Sequence, residues 1–211
     1  MKIRSSALTV LALSTAIAVA GAILAFTGTG IRFYSQPLQG VQLAQMLFGM
    51  LAVVVLLFVL GFVRYDVPSG LALGIAGLHD QLLTLALTSI VSLAFPQSYA
   101  MPALVVASAV FTCCFTIPIL RESRLIGRGV SLRERTRDEV ARMAVMKTLP
   151  VTARVLMAVL LILIAFVVSG GVLMFGFIVP LLAGIIASFL SATCITPYVW
   201  AAAASRTRSR R

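Results

Sequence analysis

Six apolar runs occupy most of this 211-residue chain, at about residues 7–27, 41–63, 69–95, 100–120, 150–169 and 172–201. A helix needs roughly 20 predominantly apolar residues to cross the hydrocarbon of a bilayer, and every run is long enough to do so. The sequence therefore predicts an all-α integral membrane protein with six transmembrane helices. These form a single domain over residues 1–211, with no room for a separate soluble unit. Composition agrees: 61% of residues are hydrophobic and 11% charged, and the mean hydropathy is +1.09. A soluble domain with a charged shell does not have this profile.

The net charge of +11 raises the question of a nucleic-acid partner, but its distribution argues against one. Lys2 and Arg4 precede the first run, Arg64 follows the second, a basic block from Arg121 to Arg154 joins the fourth and fifth, and Arg206, Arg208, Arg210 and Arg211 close the chain. In a six-helix zigzag all of these fall on one side, and Arg32 alone falls on the other. The positive-inside rule then places both termini and the loop 121–149 in the cytoplasm. Attraction to anionic lipid or to an acidic partner is a secondary use of the same charge.

Within the loop 121–149, Ser131 and Glu134 have the spacing of a capping box. Leu132, Val140, Met143 and Ala144 recur beyond it at helical spacing, opposite an Arg-rich face. This predicts a short amphipathic helix, lying either on the cytoplasmic membrane surface or solvated within the loop. The N-terminus resembles a signal peptide, yet its apolar run continues to Phe26, longer than a cleavable core usually is, so an uncleaved first helix is favoured. Cys113, Cys114 and Cys194 all lie within predicted spans and read as apolar cysteines rather than a disulfide framework.

The third run carries the strongest chemical signal. In "GLALGIAGLHDQLLTLALTSIVSLAF" the chain's one histidine, His79, and an acid, Asp80, interrupt an otherwise apolar helix. At about 1.5 Å per residue, Asp80 lies roughly 17 Å along this helix, near the bilayer midplane. An acid at that depth costs about 2.5–3.5 kcal/mol on insertion scales and usually marks a proton or ion path or a polar helix contact. Asp80, Thr84 and Thr88 share a helical face, and Gly70, Gly74 and Gly77 offer positions for close helix approach. Ser108, Thr112 and Thr116 form a similar line on the fourth helix, and Gly184, Ser188, Ser191 and Thr196 on the sixth. If the lines converge, they form a polar seam with Asp80 as its ionisable acid. Two roles stay open for Asp80: handling a proton as water enters and leaves, or hydrogen bonding between helices. His79 lies about 100° around the helix from Asp80 and reads more readily as a structural polar contact. A lone histidine without a nucleophile motif is weak support for an enzyme, and it supplies no metal-ligand cluster, so no catalytic residue, metal or cofactor is expected.

The segment "FVRYDVPSGLALGIAGLHDQLLTLAL" resembles the part of SecF, and of the related SecD, in which a short cytoplasmic turn leads into a helix carrying an "IHD" signature, here Leu78, His79 and Asp80. "LRESRLIGRG" is similar to that family's "DRIREN", and "SGGVLMFGFIVPLLAGIIASFLSATCITP" to its Gly-Gly…Gly-Phe…Gly stretch. The resemblance covers about residues 60–200 and lies in the order and topology of these elements together. It implies a six-helix half-module of the RND superfamily in a bacterial or archaeal cytoplasmic membrane. Such a half-module pairs with a SecD-like subunit and assists the Sec translocon, drawing exported polypeptide outward with the proton gradient. Carried over, Asp80 matches the transmembrane acid of the proton relay, His79 its neighbour, and Arg121 with Glu122 the Arg-Glu pair of the fourth-helix motif.

The chain departs from the family pattern in two places. Where the family has a folded periplasmic domain between the first two helices, this sequence has the short loop around Arg32. Where the family reads "VNDTVVIFDRIRE", this chain reads "VFTCCFTIPILRE", with Thr112 and Pro118 at the positions of acids and Ile119 at that of the first arginine. Pro118 is expected to kink or end the fourth helix early. Other readings of the same residues are a non-coupled scaffold of a larger membrane assembly and a transporter half-module for a different substrate.

Overall fold

In a computed structural model of the chain, residues 9, 12–21, 23, 32–33, 36–37, 40–95, 99, 101–127, 136–170 and 175–209 are described. The architecture is helical: α1 Ala12–Gly21, α2 Gly40–Arg64, α3 Val67–Ala94, α4 Met101–Gly127, α5 Arg137–Gly170, α6 Phe175–Cys194 and α7 Thr196–Ser209. The exception is a two-residue antiparallel ladder, β1 Arg32–Phe33 against β2 Gln36–Pro37, in the connection between α1 and α2. Five segments are long and apolar enough to cross a membrane, namely α2, α3, α4, α5 and the continuous stretch Phe175–Ser205. The first predicted span is described as the ten-residue helix α1, and apart from residues 9 and 23 the rest of residues 7–27 lies outside the described residues.

Burial ranks the helices. In its apolar window α3 is 67% buried, whereas α5 is 11% buried. The reason is visible in side-chain size, because α3 is rich in Gly, Ala, Ser and Thr, which let neighbouring backbones come close, as is usual where helices pack in lipid. A Cβ on Gly70 would meet the Phe58 carbonyl oxygen at 2.9 Å, and one on Gly61 would meet the Gly70 Cα at 2.9 Å. Gly74 packs on Phe58 and Gly77 on Leu57, so the three glycines singled out in the sequence all face α2. Gly21 of α1 comes closer still to Ala86, and Gly184 of α6 packs against Ala107 and Ser108 of α4. By contrast, α2 and α5 present Leu51, Val55, Leu56, Leu161, Ile164 and Phe166 outward, the apolar surface of a helix that faces lipid.

Local chemistry sets the helix ends. Asp66 is the N-cap of α3, with Oδ1 accepting from the Ser69 N–H at 2.9 Å and Pro68 in the first turn. α6 gives way to α7 through a turn at Ile195. Pro197 explains the break, since it has no N–H to offer the carbonyl of Thr193 and its ring would crowd that carbonyl. Pro118 does not end α4, which continues to Gly127. Phe115, Ile119 and Leu120, all buried, anchor the helix on either side of the proline, whose own side is exposed.

The predicted amphipathic segment has a different outcome. From Arg137 onward it is the opening of α5, a 34-residue helix that continues into the fifth span. Val140 and Ala141 are buried in one apolar cluster with Leu73, Leu120 and Trp200, so this face packs on the bundle rather than along a membrane surface. The cap is Thr136 with Glu139: the Thr136 N–H donates to Glu139 Oε2 at 3.0 Å, and the Glu139 N–H donates to Thr136 Oγ1 at 3.3 Å. The Ser131–Glu134 pair lies outside the described residues.

Candidate functional site

Asp80 is fully buried at the junction of α3, α4 and α6. The Thr112 hydroxyl of α4 donates to Asp80 Oδ2. Thr112 also contacts its own helix through the Ser108 carbonyl at 2.7 Å and lies 3.3 Å from the Ser188 hydroxyl of α6. Ser188 in turn reaches the Ser108 carbonyl at 3.5 Å. Asp80 of the first line, Thr112 and Ser108 of the second and Ser188 of the third therefore meet at one point, and the carboxyl sits there.

The other carboxyl oxygen, Oδ1, has no hydrogen-bond partner among the described residues. His79 Nδ1 lies 3.6 Å from it, beyond hydrogen-bond range, and is likewise unpartnered there. The other ring nitrogen, Nε2, is 3.0 Å from the Ser14 hydroxyl of α1. His79 thus faces α1 while Asp80 faces α4 and α6, the divergence expected of adjacent helical residues. Among the described residues no lysine or arginine bonds to Asp80.

The remaining seam residues divide into two kinds. The Thr84 hydroxyl donates to the Asp80 carbonyl at 2.6 Å and that of Thr88 to the Thr84 carbonyl at 2.7 Å, closing each on its own helix. Ser191 donates to the Ser188 carbonyl at 3.3 Å. Thr116, one turn beyond Thr112, is fully buried and has no partner among the described residues.

Arg121 and Glu122 do not join this site. Arg121 is exposed, and Glu122 is ion-paired with Lys147 of α5. Near them is a second contact that the sequence did not signal: Arg124 of α4 pairs with Asp66 of α3, Nε to Oδ2 at 3.0 Å. The guanidinium carbons of Arg64 and Arg124 lie 5.5 and 5.4 Å from the Tyr65 ring centroid. The start of α3, the end of α4 and the start of α5 therefore share one basic end. Nor does the sequence signal Ser14 or Lys147, because each lies far along the chain from its partner. A cavity of about 270 Å³ lined by Val54, Phe58, Leu71, Gly74 and Leu78 opens between α2 and α3. It is wholly apolar and separate from Asp80.

No protein-family model, curated protein or solved structure matches this chain.

Proposed function

We propose that the chain is a SecF-like accessory subunit of the Sec protein-export machinery, in which Asp80 takes up and releases the proton that couples export to the proton gradient. In this reading residues 7–27 supply a sixth span. The basic end, both termini and the α4–α5 connection face the cytoplasm of a bacterial or archaeal cell, and a SecD-like half pairs with the bundle in the cytoplasmic membrane. The surplus of Lys and Arg on one side supports that orientation.

One observation carries the proposal: a fully buried carboxyl with one oxygen held by Thr112, the other without a described partner, and no lysine or arginine among the described residues bonded to either. A buried acid used only as a helix clamp is expected to have both oxygens engaged, since each unsatisfied polar atom costs about 1–3 kcal/mol. An oxygen held back from bonding is a place to load a proton. The order of the motif elements around Asp80 supplies the assignment to protein export.

A second reading, the non-coupled scaffold, draws support from Thr84, Thr88 and Glu122, whose bonds serve helix structure and helix packing. Substitution of Asp80 by Asn in the native membrane separates the two. Loss of export with intact assembly supports coupling. Unchanged export and assembly rule out coupling through this residue, and failure of assembly makes it a structural bond.

A further inference from the structure

The buried hydroxyls of this bundle are treated unequally along its length. From the level of Asp80 away from the basic end, Thr84, Thr88 and Ser89 of α3 and Ser108 of α4 each donate to a carbonyl of their own helix. Toward the basic end, Ser69, Thr116, Ser123 and Thr196 are fully buried and have no partner among the described residues, the exception being Ser191 of α6, which makes a long 3.3 Å bond to the Ser188 carbonyl. The Trp200 indole N–H is unpartnered there as well, and so are both amide atoms of Gln81, at the level of Asp80. Residue type does not explain the contrast, because the same Ser and Thr side chains on the same helices behave differently on either side of Asp80. On α5, Thr148 and Thr152 close on their own carbonyls, so the unpaired set is confined to α3, α4 and the α6–α7 segment.

Helix geometry aligns these atoms. Asp80 and Thr112 are in contact, and Ser69 and Ser123 each lie about three turns, roughly 17 Å, toward the basic end on the same faces of their helices. Thr116 falls between Thr112 and Ser123. Trp200 packs with Leu73 and Leu120 at the same end, and a Cβ on Gly127 would come within 3.9 Å of its ring. Buried polar groups in folded proteins are almost always bonded, to protein or to ordered water, and a buried water needs two to four polar partners. A row of unpaired donors and acceptors supplies such partners at successive levels.

We propose that this half of the seam binds a file of water molecules that connects Asp80 to the basic end, while the half beyond Asp80 is dry. The site's ligand is water, and protons travel along it. Asp80 is then loaded and unloaded from one side in this conformation, and access from the other side requires the helices to rearrange. The purpose of the file rests on the proton-handling role given to Asp80; its existence does not.

The test uses the full chain in its native membrane, with Cys113, Cys114 and Cys194 replaced by Ser. Single cysteines are placed at Thr116, Ser123 and Thr196, and for comparison at Thr88 and Ser89. A small, charged methanethiosulfonate reagent should modify the first three at least tenfold faster than the last two. Equal rates in the two sets, or faster reaction beyond Asp80, overturn the proposal. Because a cysteine variant can fail to fold, hydroxyl-radical footprinting of the unaltered chain provides a second measurement. Trp200 should be oxidised while buried Met46 is spared, and oxidation of Met46 without Trp200 contradicts the file. Fast labelling of the first set together with an Asp80→Asn variant that exports normally would leave the file standing and remove its proposed purpose.

Discussion

Thr112 of α4 donates its hydroxyl to the carboxyl of Asp80 on α3, tying the two central helices together at a point where no lysine or arginine among the described residues meets the acid. Removing the hydroxyl but keeping the shape of the side chain, Thr112→Val, leaves Oδ2 without its donor. A loss of about 1–3 kcal/mol in stability is expected. Thr112→Ser keeps the donor and should retain most of it. Reversible denaturation in bicelles, followed by Trp200 fluorescence, measures both.

The α2–α3 contact depends on the absence of side chains. Gly70→Ala places a Cβ against the Phe58 carbonyl and the backbone of Phe62, neither of which can yield without moving the helix. Overpacking of this kind costs about 1–3 kcal/mol. Gly49, with nothing near its Cβ position, should accept Ala without loss. Comparison of the two variants by thermal unfolding in detergent checks the prediction, and equal effects would refute it.

Asp66 serves two contacts, the cap of α3 and the ion pair with Arg124. Asp66→Ala should cost about 1 kcal/mol from the cap, and the partly exposed ion pair adds at most about 1 kcal/mol. Asp66→Asn keeps a capping oxygen and loses the charge. It should therefore recover most of the stability, with the remaining deficit diminishing as salt is raised. Denaturation of both variants at low and high ionic strength measures this.

The parts of this fold that were legible in the sequence are those fixed by local pattern. Apolar run length located α2, α3 and α4 to within a few residues at most of their ends, apart from the inner end of α4 beyond residue 120, while the spacing of Ser108, Thr112, Ser188 and Asp80 placed each on a polar line without fixing whether the lines meet. Glycine at Gly70, Gly74 and Gly77 signalled close helix approach, and all three pack on α2. What the pattern did not reveal depends on contacts between distant segments. Val140 and Ala141 look like one face of a free amphipathic helix until Leu73, Leu120 and Trp200 cover them. Pro118 reads as a helix breaker, but the packing of Phe115 and Ile119 carries α4 past it. Ser14 gave no sign of reaching His79, some 65 residues away, because a serine in an apolar helix has no pattern of its own.

The Glu122–Lys147 pair tests whether Glu122 does more than join α4 to α5. Glu122 is partly buried and Lys147 largely exposed, so the pair should contribute no more than about 1 kcal/mol, and a double-mutant cycle with Glu122→Gln and Lys147→Met reads it out. If Glu122 serves export, as the proposed function would have it, Glu122→Gln should lower export by more than that small loss of stability explains. Export that falls only in step with stability would assign Glu122 to helix packing alone.

The central claim is that the Asp80 carboxyl gains and loses a proton while buried among α3, α4 and α6. Infrared difference spectroscopy of the full chain in lipid vesicles, stepped across pH and compared with Asp80→Asn, measures this directly. The account predicts a protonated-carboxyl band that changes with pH, shifts in D2O and is missing in the variant. A band of constant intensity at every pH, or an identical spectrum in Asp80→Asn, would contradict it.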